Sequence, residues 1–141
     1  PLLRSLISAH LQAKADYTLP HEPVPLGSSC EIIRLETLKQ ISALTEDSIY
    51  REHVTTWFHD HPTSFCIKRV NAPHYLRDQN FRLTVDTDRD FQLMEALFKN
   101  LPHSPSSPLN LEAVINYLIN HPETTALNID IAQNNWREKN I

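Results

Sequence analysis

The sequence predicts an α/β layered domain; the order of its elements carries that prediction, and two features of composition bound it. Helical and extended stretches alternate in the order helix, strand, strand, helix, helix, strand, strand, helix, helix. Hydrophobic residues make up 40% of the 141 positions and charged residues 21%, which supplies the core of one domain. A single glycine stands against ten prolines, so no phosphate-cradling glycine-rich loop can be built from these residues.

Leu2, Leu3, Leu6, Ile7, His10 and Leu11 recur at helical spacing. They predict a helix from Pro1 or Leu2 to about Ala15, with proline tolerated in its first turn. ADYT is then a short strand, and LPHEPVPLGSS, with three prolines and the glycine, a loop. CEIIR reads as a compact buried strand. LETLKQISAL reads as a short helix with Leu35, Leu38, Ile41 and Leu44 inward. A further helix, SIYREHVTTWFHD, is capped by Thr45 or Ser48 and ended by His61 and Pro62. SFCIKRV is a strand, NAPHYLRDQN a loop and FRLTV another strand. DRDFQLMEALFKNL is a helix with Phe91, Met94, Leu97 and Phe98 on its inner face. PHSPSSP is a linker, LEAVINYLINH an amphipathic helix stopped by Pro122, and WREKNI a frayed polar end. The organisation expected is a main body over residues 1–101, a Pro/Ser linker over 102–109, and a C-terminal helix and tail over 110–141 packed on that body. The chain opens on a helix, whereas nucleotide-handling α/β folds open on a strand. That order predicts a piece of a larger domain.

The net charge is −4, with eight histidines and no run of Lys or Arg, which argues against a nucleic-acid binder. No apolar stretch approaches the ~20 residues of a membrane span. PLLRSLISAH lacks the basic segment, long apolar core and cleavage site of an export signal. Cys30 and Cys66 are isolated and without CxxC spacing. They read as buried, inert thiols of a reducing compartment, so a cytoplasmic location is expected.

The densest run of charge is DTDRD, residues 86–90. Thr87 is placed to cap the following helix. Asp90, three residues on, is placed to reach back to the Thr87 N–H, a capping box with Asp in place of Glu or Gln. Asp88 lies in the first turn, where the helix dipole favours an anion, and Arg89 is expected to point to solvent. Asp86 precedes the cap, and the helix does not need it. It sits at the carboxyl end of a strand, where open α/β sheets bind ligands, and a carboxylate there suits Mg²⁺. A solvated turn residue or a partner for Arg82 is the other reading of Asp86.

Five stretches, in order, resemble the CMP-sugar cytidylyltransferases. That family comprises the acylneuraminate and KDO activating enzymes, and the likeness is strongest to its spore-coat polysaccharide biosynthesis branch. RLTVDTDRDFQLM resembles its R-x-T-V-D-T-P-E-D segment. ISAHLQAKADYT, VPLGSSCEIIRLETL, REHVTTWFHDHPTSFCIKRV and LINHPETTALNIDI resemble further stretches of that branch and cover nearly the whole chain. The resemblance implies the C-terminal part of a Rossmann-like (GT-A-like) nucleotidyltransferase domain, with a mixed sheet flanked by helices. It implies attack of a sugar hydroxyl on the α-phosphate of CTP, releasing pyrophosphate. The sugar is expected to be acidic, of the nonulosonic kind, and the cofactor Mg²⁺ or Mn²⁺. Asp86 matches the metal aspartate of V-D-T. Glu52 and His53 match sugar-side residues of R-E-H-V-T, with His53 the candidate base, and Gly27 and Glu31 match pocket residues. The family often dimerises, so a homodimer surface is expected to use Trp57 or Phe58; a partly exposed ring is the alternative.

The chain departs from the family in three places. Asp88 and Arg89 replace its P-E, and Ser29 stands where many members have Asp, which bears on the choice of sugar. Its opening strand, its R-x-x-S-x-R-x-P-x-K phosphate loop and its first metal aspartate are absent from this sequence. The isolated chain is therefore expected to be inactive. Two rival readings remain. One is a non-catalytic α/β interaction module. The other is a zinc hydrolase built on His53, His59 and His61, although His53 and His59 are six apart on the predicted helix and so face different sides.

Overall fold

A computed structural model describes residues 2–132. The chain divides into two compact units, Pro1–Val24 with Ser29–Asp78 and Pro25–Ser28 with Gln79–Ile141.

The first unit is built on helix α1 (Leu2–Ala13), which buries Leu2, Leu6 and His10 at i, i+4 spacing. The flanking stripe of Leu3, Ile7 and Leu11 is exposed, so only half of the predicted apolar face is covered. The helix ends in a Schellman motif. Ala15 N–H donates to the His10 carbonyl at 3.0 Å and Lys14 N–H to that of Leu11 at 3.3 Å. Lys14 occupies the left-handed position usually given to glycine, with φ 48°. Arg34 donates to the Lys14 and Ala15 carbonyls and secures this end of the helix.

The sheet has three strands, β1 (Tyr17–Pro20), β2 (Ile32–Ile33) and β3 (Ile67–Val70), in the order β2-β1-β3. β1 runs antiparallel to β2 and parallel to β3, with Tyr17 opposite both Ile33 and Ile67. The sheet is thus mixed and flanked by helices, as expected. Every residue of β1 is buried. β2 is only half-buried, so the reading of CEIIR as a buried strand fails. Tyr17, Leu19, Ile41 and Phe58 form the core of this unit. Fully burying side chains of this size contributes about 1.5–3 kcal/mol each.

Helix α2 (Leu35–Leu44) has the predicted bounds and buries Thr37 and Ile41, while Leu35 and Leu44 are exposed. The single helix expected over residues 48–60 is two short ones, α3 (Ser48–Glu52) and α4 (Thr56–Asp60). Asp47 caps α3, accepting from Ile49 N–H at 2.9 Å, in place of Thr45 or Ser48. His53 leaves helical geometry at φ −116°, ψ 70°. The adjacent Val54, Thr55 and Thr56 are β-branched and favour such a break. Phe58 is buried, and Trp57 stacks on His61 at 4.3 Å and meets the edge of Tyr50. Cys66 is exposed and Cys30 half-buried, which corrects the reading of both as buried thiols.

In the second unit, FRLTV does not join a ladder. Its pairing is a single parallel bridge between Arg82 and Leu26. It still alternates, because Phe81 and Leu83 pack on the apolar cluster of this unit while Arg82 is buried among polar groups. Helix α5 (Asp88–Asn100) buries Asp90, Leu93 and Leu97, whereas Phe91 and Phe98 are about half exposed. The inner face of α5 is thus rotated from the predicted one. Helix α6 (Leu111–Asn120) sets Val114 and Leu118 against Leu93 and Leu97. It stops before Pro122, which opens one more turn, α7 (Pro122–Thr125). Between α5 and α6 the Pro/Ser stretch forms a turn closed by two backbone bonds between Ser104 and Ser107. WREKNI lies outside the described residues.

Candidate functional site

In the second unit, Gly27 and Asp86 belong to the same small construction. Leu26 N–H donates to the Phe81 carbonyl at 3.0 Å, and Leu83 N–H donates to the Leu26 carbonyl at 2.7 Å. Gly27 follows at φ +87°, and a Cβ there would lie 2.8 Å from the Leu83 carbonyl carbon. Both the backbone angle and the space require glycine. Three residues past Leu83, the Asp86 side chain is 60% exposed, and its Oδ2 accepts from Arg82 Nη2 at 2.7 Å. The partnership with Arg82 is therefore present. Between them, the Thr84 hydroxyl is buried with no hydrogen-bond partner among the described residues.

The capping box is formed as the sequence predicts: Thr87 Oγ1 accepts from Asp90 N–H, and Asp90 Oδ2 accepts from Thr87 N–H. The larger role of Asp90 is not local. It is fully buried and receives Arg82 Nε at 2.8 Å, Arg82 Nη2 at 3.1 Å and Asn128 Nδ2 at 2.8 Å. Arg82 holds its carboxyl far below the usual carboxylate range against the opposing pull of burial, and Asn128, the Asp86 N–H and Thr87 add to the effect. Asp90 in turn raises the pKa of Arg82. Arg89 is exposed, as expected, but it is not merely solvated. It forms a forked ion pair with Asp130, at 2.6 and 3.2 Å, and donates to the Ala126 and Leu127 carbonyls.

In the first unit, Glu31, Glu52 and His53 are the predicted residues. Glu31 is exposed, and its Oε1 accepts from the Tyr17 hydroxyl at 2.5 Å. Tyr17 is buried, stacks on Phe58 at 4.6 Å and meets the edge of His59. Burial and the neighbouring Glu31 push its phenol pKa well up. Tyr17 thereby links Glu31 to α4, the helix that follows the break where His53 sits. Glu52 is mostly exposed and approaches His53 Nε2 at 3.9 Å. The signal for Tyr17 lay in ADYT, which the helical and strand patterns alone did not single out.

Asp16, beside Tyr17, accepts from Cys66 N–H at 2.9 Å and the Thr37 hydroxyl at 2.8 Å. Burial pushes its pKa up, but these bonds and Arg34 pull it below the usual range. This carboxylate fastens β1, α2 and the entry to β3.

Asp86 suits a hard divalent cation in kind, since it is an accessible carboxylate with Arg82 on one oxygen only. It fits as a single ligand: no group of three or more His, Cys, Asp or Glu converges among the described residues. The same observation leaves the zinc reading without a ligand set there. His61 instead pairs its Nδ1 with the Trp57 carbonyl and stacks on that ring. No helix among the described residues is long and apolar enough to cross a membrane.

No family model matches the chain. The spore coat polysaccharide biosynthesis protein SpsF of Bacillus subtilis is 34% identical over 106 residues, which are 74% of this chain and 43% of that protein. An uncharacterised protein of Methanocaldococcus jannaschii, MJ1063, is 29% identical over 113 residues, 80% of this chain and 45% of its own. The chain thus spans about half the length of the curated relatives it matches. The solved structure of a cytidylyltransferase from Leptospira borgpetersenii superposes with a TM-score of 0.78 at 18% identity, over 94% of this chain and 55% of that one. That likeness establishes the fold. The chain is thus related to SpsF over most of its own length and has the fold of that cytidylyltransferase.

Proposed function

We propose that this chain is part of a CMP-sugar synthetase-like nucleotidyltransferase that activates an acidic, nonulosonic-type sugar with CTP, releasing pyrophosphate, for surface polysaccharide biosynthesis in the cytoplasm. The observation that carries this reading is the 34% identity to a spore coat polysaccharide biosynthesis protein across 74% of the chain. The accessible Asp86 carboxylate at the head of α5 is consistent with it.

In this reading Asp86 contributes one ligand to Mg²⁺ or Mn²⁺, whose chemistry when bound is neutralisation of phosphate charge. His53, in the break between α3 and α4, accepts the proton of the attacking sugar hydroxyl. Glu52 and Glu31 hydrogen-bond the sugar, Glu31 being oriented by Tyr17. Gly27 keeps its own loop close to the backbone of Leu83. A homodimer is part of the proposal. A single carboxylate binds the cation only weakly and does not by itself hold the triphosphate, so the chain by itself is expected to be inactive.

The test is pyrophosphate release with CTP, Mg²⁺ and a panel of acidic sugars, by the longest natural protein containing this chain, beside Asp86→Asn and this chain alone. Sugar-dependent release that collapses in the variant and is absent from the chain alone supports the reading. Release that survives Asp86→Asn removes Asp86 from the metal. No release with any sugar or nucleotide leaves a non-catalytic module of the same fold.

A further inference from the structure

Asp86 is an exposed acid at the bend that leads into α5, yet it is held in two places. Its Oδ2 accepts from Arg82 Nη2 at 2.7 Å, and its backbone N–H donates to Asp90 Oδ2 at 3.0 Å. Arg82 is itself immobilised. Its side chain is 8% exposed, and Nε and Nη2 fork onto the two oxygens of Asp90. Asp90 is buried and takes Asn128 Nδ2 at 2.8 Å, and the same Nδ2 donates to the Arg82 carbonyl at 3.0 Å. An ordinary exposed Arg–Asp pair at i, i+4 has two mobile partners and little directing power. Here one partner is locked by a buried carboxylate, and that carboxylate also holds the backbone of the other.

We propose that Arg82, clamped by Asp90 and Asn128, is a positioning residue for Asp86: it takes one carboxylate oxygen and turns the other outward toward a hard divalent cation. This rests on the reading of Asp86 as a cation ligand. The arrangement parallels metal sites in which outer partners orient the ligand, and loss of such a partner commonly costs 10–100-fold in metal affinity. Arginine suits the task because its planar fork can engage two carboxylates in fixed directions, which a lysine cannot reproduce.

The experiment is a Mn²⁺ titration of the whole chain, read by paramagnetic broadening of backbone amide signals around Asp86. It compares the unaltered chain with Asp86→Asn, Arg82→Lys and Asn128→Ala. Broadening centred on Asp86 is expected in the unaltered chain and absent in Asp86→Asn. In Arg82→Lys and Asn128→Ala it is expected to need about tenfold more Mn²⁺. An unchanged Mn²⁺ dependence in those two, with Asp86→Asn abolishing the effect, overturns the positioning role and leaves the proposed function standing. Broadening that persists in Asp86→Asn overturns Asp86 as a ligand, and the inference falls with it. A second measurement needs no variant. The Cβ proton couplings of Asp86 in the unaltered chain are expected to report one χ1 rotamer, and averaging between rotamers overturns the inference even where a variant fails to fold.

Discussion

Asn128 donates its side-chain amide to the buried carboxylate of Asp90 at 2.8 Å, across 38 residues of sequence. With Arg82 it forms the polar centre of the second unit. Removing one partner of a buried ion pair leaves the other charge uncompensated, at a cost of about 3–5 kcal/mol. Asp90→Ala is therefore expected to lower the stability of the α5 region by about that amount, and Asn128→Ala by about 1–3 kcal/mol. Hydrogen exchange at Leu93 and Leu97, read with urea denaturation, measures both.

The same network sets an acid limit. The folded Asp90 carboxyl lies well below its unfolded value of 3.8, so the unfolded chain binds the proton more readily. The stabilisation is complete above the unfolded pKa and is lost as the pH falls through the folded one. The urea midpoint should drop steeply below about pH 4, and Asp90→Asn, destabilised throughout, should show a flatter acid limb. An equally steep limb in the variant would assign the slope to other carboxylates.

Gly27→Ala confronts both the +87° φ and backbone atoms at 2.8–2.9 Å. A strained left-handed residue costs about 1–3 kcal/mol before the steric term is added. The expected outcome is a loss of at least that size, accompanied by chemical-shift changes at Leu83 and Thr84. A variant as stable as the parent would mean that the Leu26–Arg82 bridge opens without penalty.

His10 is buried against Thr18 Oγ1 at 2.9 Å, and burial, with Arg34, holds its pKa below the usual 6.5. This group stabilises the first unit above its unfolded pKa, and that contribution fades as the pH falls through the lowered folded value. The melting temperature of the parent should therefore decline as the pH falls below about 6.5, and His10→Gln should remove the decline.

Tyr17→Phe keeps the stack on Phe58 and deletes the hydrogen bond to Glu31. A part-buried bond to a charged group contributes about 1.5 kcal/mol. A thermal melt should show that loss. In the longest natural protein, a sugar KM that rises with little change in kcat would mark Glu31 as a binding residue. Unchanged KM would return the pair to a structural role.

What the sequence determined by itself was local or repeated. The Thr87–Asp90 box spans three residues, and its donors and acceptors lie within one turn, so the sequence alone specifies it. The bounds of α2 and the mixed α/β class were legible for the same reason, whereas the need for glycine at position 27 comes from the approach of the Leu83 backbone. Periodicity also identified α1 and α5 as amphipathic, but each carries more apolar residues than one neighbour can cover. Only the tertiary structure decided that Leu93, not Phe91, enters the core and that Leu3, Ile7 and Leu11 remain outside. It also decided that the 48–60 helix breaks at His53, that FRLTV pairs through one bridge, and that Arg89 meets Asp130. These outcomes depend on partners tens of residues away, whose approach is set by packing and loop geometry. The clamp of Arg82 by Asp90 and Asn128 belongs with them: each residue is an ordinary polar side chain in sequence, and burial beside the others is what gives it a role.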